Sequence, residues 1–176
     1  DPFCGSGTIP IEAALIAKNR APGLERSFAA QKWKTMPGTL WLDAAEEAMD
    51  KEFHGSYDIW GGDIDPAAVE LSRHNAALAG VEDCVRFEVA DAGKFHRESA
   101  YGQLVTNPPY GERLLEKTEA EALYRRFGAA ARTLPPGWRV VLSSHTEFER
   151  AFGRPADKKR KLYNGMLKCD AFLYGR

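Results

Sequence analysis

Two hydrophobic rhythms alternate along most of this chain. From Tyr57 onward, short apolar runs give way to longer stretches whose apolar residues recur every three or four positions. The runs YDIWGGD (57–63), VRFEVAD (85–91) and QLVTN (103–107) predict strands, the last closed by PPYG, while PAAVELSRHNAALAG (66–80) and 119–134 predict helices. A PPG turn (135–137) leads to the buried-looking strand RVVLSS, and a shorter helix is predicted at 147–152. Strands and helices alternating at this length predict a mostly parallel sheet covered by helices, an α/β fold. The ending differs: Asn164-Gly165 lies between two strand-like runs, a hairpin signal that predicts an antiparallel pair closing the sheet.

The amino-terminal part reads as a glycine-bearing turn, DPFCGSGT, followed by a helix in which Ile11, Ala14, Leu15 and Lys18 fall at helical spacing and Pro10 suits the first turn. Between 20 and 57 the periodicity fades. Phe28, Trp33, Met36, Trp41 and Phe53 keep this stretch too apolar for a disordered linker, so an ordered insertion with a helix near 41–53 is predicted, its tryptophans packed on the core. The chain starts inside a turn that an apolar strand ordinarily delivers, so a preceding strand, central in the sheet, is expected upstream.

With 176 residues and 44% hydrophobic content, one domain with one core is expected. The 24 Lys+Arg against 25 Asp+Glu leave a formal charge of -1, so any polyanion must be held by local patches and not by a global positive field. Cys4, Cys84 and Cys169 are few and widely spaced, which argues against a disulfide framework or a zinc site and for a reducing, cytoplasmic setting. No metal ligands are assigned, and His54, His74, His96 and His145 are scattered.

Ligands of open parallel sheets bind beyond the carboxyl ends of the strands, and four places there carry chemistry. Gly5 and Gly7 let backbone approach a ligand, though GSG also fits a plain tight turn. Asp63 can accept hydrogen bonds from ribose hydroxyls with Ile64 against an adenine ring, whereas Asp65 before Pro66 reads as a helix cap. Asp91 could accept from an adenine amino group beside the Ala92 backbone, or simply cap its loop. The fourth is the most specific. In Asn107-Pro108-Pro109-Tyr110 two prolines stiffen the turn and remove two donors, leaving the Asn107 side-chain oxygen and the Pro108 carbonyl to accept from an amine while Tyr110 stacks on a planar ring. The missing Gly-Lys-Ser/Thr loop and the long spacing from Gly5 to Asp63 argue against ATP and NAD. Cys4 reads as a small buried residue of the turn.

DPFCGSGT, GGDID, VADA and NPPYG, in this order, resemble the motifs of class I amino-methyltransferases. The opening through APGL, the insertion RSFAAQKWK and the tail KLYNGMLKC further resemble the THUMP-linked RNA guanine methyltransferases, over nearly the whole chain. The resemblance implies a Rossmann-like fold and S-adenosylmethionine as cofactor. It places Asp1, Pro2, Phe3, Gly5, Ser6, Gly7, Thr8, Asp63, Ile64, Asp91, Ala92 and Asn107 at the cofactor, and Asn107, Pro108, Pro109 and Tyr110 at the reacting amine. It also implies methyl transfer to the 2-amino group of guanine in ribosomal RNA or tRNA, and an RNA-binding THUMP region upstream. Rival expectations are a DNA adenine methylase, a protein-glutamine methylase, and a nonenzymatic RNA-binding module with a vestigial pocket. Lys158 to Lys161 could meet phosphates or simply protect a sheet edge, Arg113 and Lys117 are alternative phosphate contacts, and Trp33 and Trp41 could stack on bases.

Overall fold

The computed structural model describes all residues except 36, 100, 111–116, 135–138 and 176. Met36, Arg113 and the PPG turn therefore lie outside the described residues. The elements run α1 (Thr8–Ala17), α2 (Thr39–Asp50), β1 (Ile59–Asp63), α3 (Pro66–Leu78), β2 (Val85–Val89), β3 (Leu104–Thr106), α4 (Lys117–Arg132), β4 (Arg139–Ser143), α5 (Phe148–Phe152), β5 (Lys158–Asn164) and β6 (Leu167–Tyr174). Among the described residues no helix is long and apolar enough to cross a membrane.

The strands form two ladders. β1 pairs with β2 in parallel; β3 and β4 are parallel, and β6 joins β4 antiparallel with β5 on its outer edge. Each ladder has its own core. Ile11, Val69, Val81 and Phe87 pack with Cys4 beside the first, and Tyr124, Phe127, Phe148, Phe152 and Phe172 pack beside the second. The stripe Ala120, Tyr124, Phe127, Gly128 and Ala131 on α4 is buried, at the spacing of one helix face. Each of its aromatic side chains contributes about 2–3 kcal/mol by leaving water.

Residues 1–4 occupy the space between the ladders. The Asp1 nitrogen donates to the Trp60 carbonyl, the Gly62 N–H to the Asp1 carbonyl at 2.8 Å, and the Cys4 N–H to the Gly62 carbonyl at 2.9 Å. That alternation is the signature of parallel pairing with β1. On the other side the Thr106 hydroxyl, at the end of β3, donates to the Asp1 carboxylate. Phe3 meets Phe127 edge-on at 5.1 Å, in the second core, while Cys4 lies in the first. Beyond Asp1, a cavity of about 180 Å³ continues between the ladders, lined by Trp60, Phe95, Leu104 and Leu134.

Three expectations are corrected. The helix predicted at 41–53 runs Thr39–Asp50 and buries no residue; Trp33 is 60% exposed, and Trp41 stacks on Phe28 within the insertion at 5.4 Å, so the tryptophans do not pack on either core. The insertion is tied to the body through its ends instead, by the Phe53 N–H to the Lys18 carbonyl and by the Arg20–Glu52 ion pair at 2.8 Å. The basic run Lys158–Lys161, expected from the sequence just before the terminal hairpin, instead forms the first half of its edge strand, β5, with Lys159 paired to Glu149 at 2.7 Å. Finally, the hairpin register closes Asn164 onto Leu167, so the two loop residues are Gly165 and Met166. Positive φ falls on Gly165 (62°) and not on Met166, which makes this a Gly-first turn instead of one centred on Asn-Gly.

Candidate active site

The turn after the space between the ladders uses its two glycines differently. Gly5 has φ 53°, and a Cβ there would meet nothing within 4 Å, so its backbone is bare toward a ligand. A Cβ on Gly7 would lie 2.8 Å from Ser72 Cβ and 3.0 Å from the Phe87 ring; Gly7 lets α1 pack closely on α3 and β2. Cys4 is buried here, and burial with the nearby Asp63 charge pushes its thiol up to about 11. A thiol so far from ionisation is no nucleophile near neutral pH.

At the end of β1 both oxygens of Asp63 are engaged by backbone: Oδ2 accepts from Gly5 N–H and Oδ1 from Asp65 N–H, each at 3.0 Å. Asp63 thus ties the β1 end to the glycine turn while lining the cleft described below. Asp65 is the α3 cap, accepting from Ala67 N–H at 2.9 Å. Asp91 is the loop cap and also carries an ion pair. Oδ1 caps its loop by accepting from Gly93 N–H at 2.8 Å, and Oδ2 is held 3.4 Å from the Arg126 guanidinium.

After β3, Pro108 is fully buried and the Tyr110 hydroxyl donates to Asn107 Oδ1. The Pro109 carbonyl accepts from the Tyr124 hydroxyl at 2.6 Å. Tyr124 is itself wholly buried between His145 and Phe148, and burial raises its pKa, so it stays a neutral donor. The turn is therefore bolted to α4 from beneath.

These pieces face one cleft of about 1250 Å³. Of the residues singled out from the sequence, Pro2, Phe3, Gly5, Asp63, Ile64, Asp91, Ala92 and Asn107 through Tyr110 line it; Asp1, Ser6, Gly7 and Thr8 do not. Asp1 directs its carboxylate to Phe3 N–H and Thr106, and the Ser6 and Thr8 hydroxyls lie 3.2 Å apart near the start of α1. Sequence reasoning missed Glu119, Leu123 and Arg126, one face of α4, and the hairpin tip Gly165–Leu167, all of which line the cleft. The first three are spaced i, i+4, i+7 just beyond the NPPY motif, a signal the sequence does carry. The tip carries none, because only the pairing of β6 with β4 brings it across the molecule.

Residues 1–172 match the family model UPF0020 (RMKL-like, methyltransferase domain). YpsC of Bacillus subtilis (strain 168), provisionally named an RNA methyltransferase, is 43% identical over 99% of this chain and 46% of its own length. The ribosomal RNA large subunit methyltransferase K/L of Shewanella baltica (strain OS185) is 41% identical over 99% of this chain and 25% of its own. The crystal structure of SMU.472 complexed with SAH superposes with a TM-score of 0.95 at 42% identity, covering all of this chain and 47% of that one. The chain thus spans between a quarter and a half of the length of these relatives.

Proposed function

Since the chain belongs to the RMKL-like methyltransferase domain family, we propose that it transfers a methyl group from S-adenosylmethionine to the exocyclic 2-amino group of guanine in RNA, ribosomal RNA ahead of tRNA. The observation that carries this reading is that the Asn107–Tyr110 turn and the carboxylates Asp63 and Asp91 line one cleft. Its volume exceeds that of an ordinary small-molecule site, leaving room for a cofactor and a flipped base together.

The cofactor fits the residues present. Asp63, with one bond on each oxygen, keeps acceptor capacity for ribose hydroxyls, Asp91 an acceptor for an adenine amino group, Ile64 and Ala92 apolar contact, and Gly5 a bare backbone. When bound it supplies an electrophilic methyl group. The protein's task is then to hold a poor nucleophile correctly. An aromatic amine has its lone pair delocalised into the ring. Acceptance of its two hydrogens by Asn107 Oδ1 and the Pro108 carbonyl favours a pyramidal nitrogen and frees that lone pair. In the structure the Asn107 oxygen accepts from the Tyr110 hydroxyl, so the amine takes over as its donor while the Tyr110 ring is available for stacking. No covalent enzyme intermediate is required.

We further propose that the domain works within a longer chain. A strand ahead of Asp1 would fill the cavity between the ladders, and an RNA-binding THUMP region would supply the affinity that a net charge of -1 does not.

The test is to incubate the natural full-length protein with labelled S-adenosylmethionine and unmodified ribosomal RNA, tRNA or DNA, then digest and identify the labelled nucleoside. 2-Methylguanosine from one RNA class, lost in Asn107→Ala while S-adenosylhomocysteine still binds, is expected. Methyladenine would transfer the reading to the adenine methylases, and unchanged activity in Asn107→Ala would overturn the assignment of the turn.

A further inference from the structure

Four carboxylates line the cleft: Asp63, Asp65, Asp91 and Glu119. The first three lie at the ends of β1 and β2, and each already has a partner within the protein. Asp63 accepts from two backbone N–H groups, Asp65 caps α3, and Asp91 caps its loop and pairs with Arg126. Glu119 differs on both counts. It stands in the first turn of α4, and its carboxylate makes no hydrogen bond or ion pair among the described residues. The same helix is fastened to the NPPY turn by Tyr124, five residues and about 7.5 Å of helix rise further on. An acceptor without a partner among the described residues therefore lines the same cleft as Asn107 through Tyr110.

We infer that Glu119 selects the target base, by accepting the N1–H of guanine and repelling the N1 lone pair of adenine. The inference rests on the reading of the cleft given above. The amino-bearing bases differ in what lies next to the amine. In guanine the neighbour of the 2-amino group is N1–H, a donor; in adenine and cytosine the neighbour is a ring nitrogen with a lone pair, an acceptor. A turn that holds only the amine accepts all three, which is why NPPY by itself does not choose among them. A carboxylate beside the amine does choose. It gains a charge-assisted hydrogen bond from guanine and faces electron-pair repulsion from the others. A site built around such a hydrogen bond can reject the analogue that lacks the donor by several orders of magnitude. The plain alternative is an acidic residue placed to complement the helix dipole, a contribution to stability alone.

2,6-Diaminopurine separates the two roles, because it keeps the 2-amino group but turns N1 from donor to acceptor. The probes are a synthetic RNA hairpin carrying the guanine mapped by nucleoside digestion, and the same hairpin with 2,6-diaminopurine at that position. Both are assayed with the natural full-length protein and with Glu119→Gln, whose amide can donate to N1. The wild type is expected to favour guanine at least tenfold in kcat/KM. Glu119→Gln is expected to lose at least tenfold on guanine and at most twofold on diaminopurine, so that the preference collapses, with S-adenosylhomocysteine binding and thermal midpoint unchanged. Equal losses on both hairpins, or none on either, would overturn the role of Glu119 while leaving guanine methylation standing. No methylation of guanine by the wild type in any RNA would instead remove the reading on which the inference rests.

Discussion

The hydroxyl of Tyr124, in the middle of α4, donates to the carbonyl of Pro109 at 2.6 Å, joining the buried stripe of a helix to the turn proposed above to hold the reacting amine. Pro109 has no N–H and a fixed φ, so this carbonyl is the main handle by which the fold can orient the end of the turn. Tyr124→Phe keeps the ring contacts with His145 and Phe148 and removes the hydroxyl, with its bonds to Pro109 and Ser143. We expect kcat to fall about tenfold with KM for RNA and S-adenosylhomocysteine affinity unchanged, and stability to fall by about 1 kcal/mol. Steady-state kinetics beside urea unfolding checks this; a loss confined to stability would make Tyr124 an ordinary core residue.

Asp63 and Asp65 are two residues apart and will separate cleanly on substitution. Asp65→Ala removes a helix cap and should cost about 1 kcal/mol of stability with little change in cofactor affinity. Asp63→Ala removes an acceptor that faces the cleft and releases Gly5 N–H, and should weaken S-adenosylhomocysteine binding by at least tenfold in calorimetry. Equal effects of the two variants on binding would contradict the distinction.

His145 is buried beside Tyr124, and burial lowers its pKa despite the nearby Glu121 carboxylate. Its Nδ1 accepts from Glu147 N–H, which holds the neutral ring, and Lys117 and Arg150 add repulsion to the charged form. A histidine whose folded pKa is depressed takes up its proton more readily when unfolded. The stability is complete above the unfolded value of about 6.5 and is lost as the pH falls from there toward the folded pKa. Urea unfolding at pH 7.5 and 5.5 should therefore show a loss that is smaller in His145→Gln; an identical loss in both proteins would assign it to other groups.

Gly128 lies where α4 crosses α5, and a Cβ there would stand 2.1 Å from the Phe152 carbonyl oxygen. Because the obstacle is backbone, no side chain can turn aside. Gly128→Ala should destabilise the protein by about 1–3 kcal/mol despite the better helix propensity of alanine. A variant as stable as the parent in thermal unfolding would mean that α5 can slide.

Much of this was legible in the sequence, and the limits have physical causes. Strand ends announce themselves, because an apolar run stopped by Asp or Asn-Pro-Pro can only place that polar group at the rim of the sheet; Asp63, Asp91 and Asn107 were found in this way, and all three line the cleft. The cap at Asp65 was readable from the following proline alone. Tyr124 was not, since a tyrosine within a helical stripe looks like any core aromatic until the partner of its hydroxyl is known. The tryptophans of the insertion misled for the opposite reason. Their size suggests burial, but a short insertion held by its two ends leaves Trp33 mostly in solvent. Met166 depends on long-range pairing, which no local pattern encodes.

Phe3 and Cys4 are neighbours in sequence yet belong to different cores, so four residues of chain act as a stitch between two separate ladders. The cleft lies over that seam, taking Asp63 and Asp91 from one side and Asn107 through Tyr110 from the other. A ligand that needs both sides can bind only when the seam is closed, and by mass action it then holds it closed. Occupancy of the cleft is therefore also a folding variable: the free energy that selects the cofactor is the same free energy that makes the two halves melt as one.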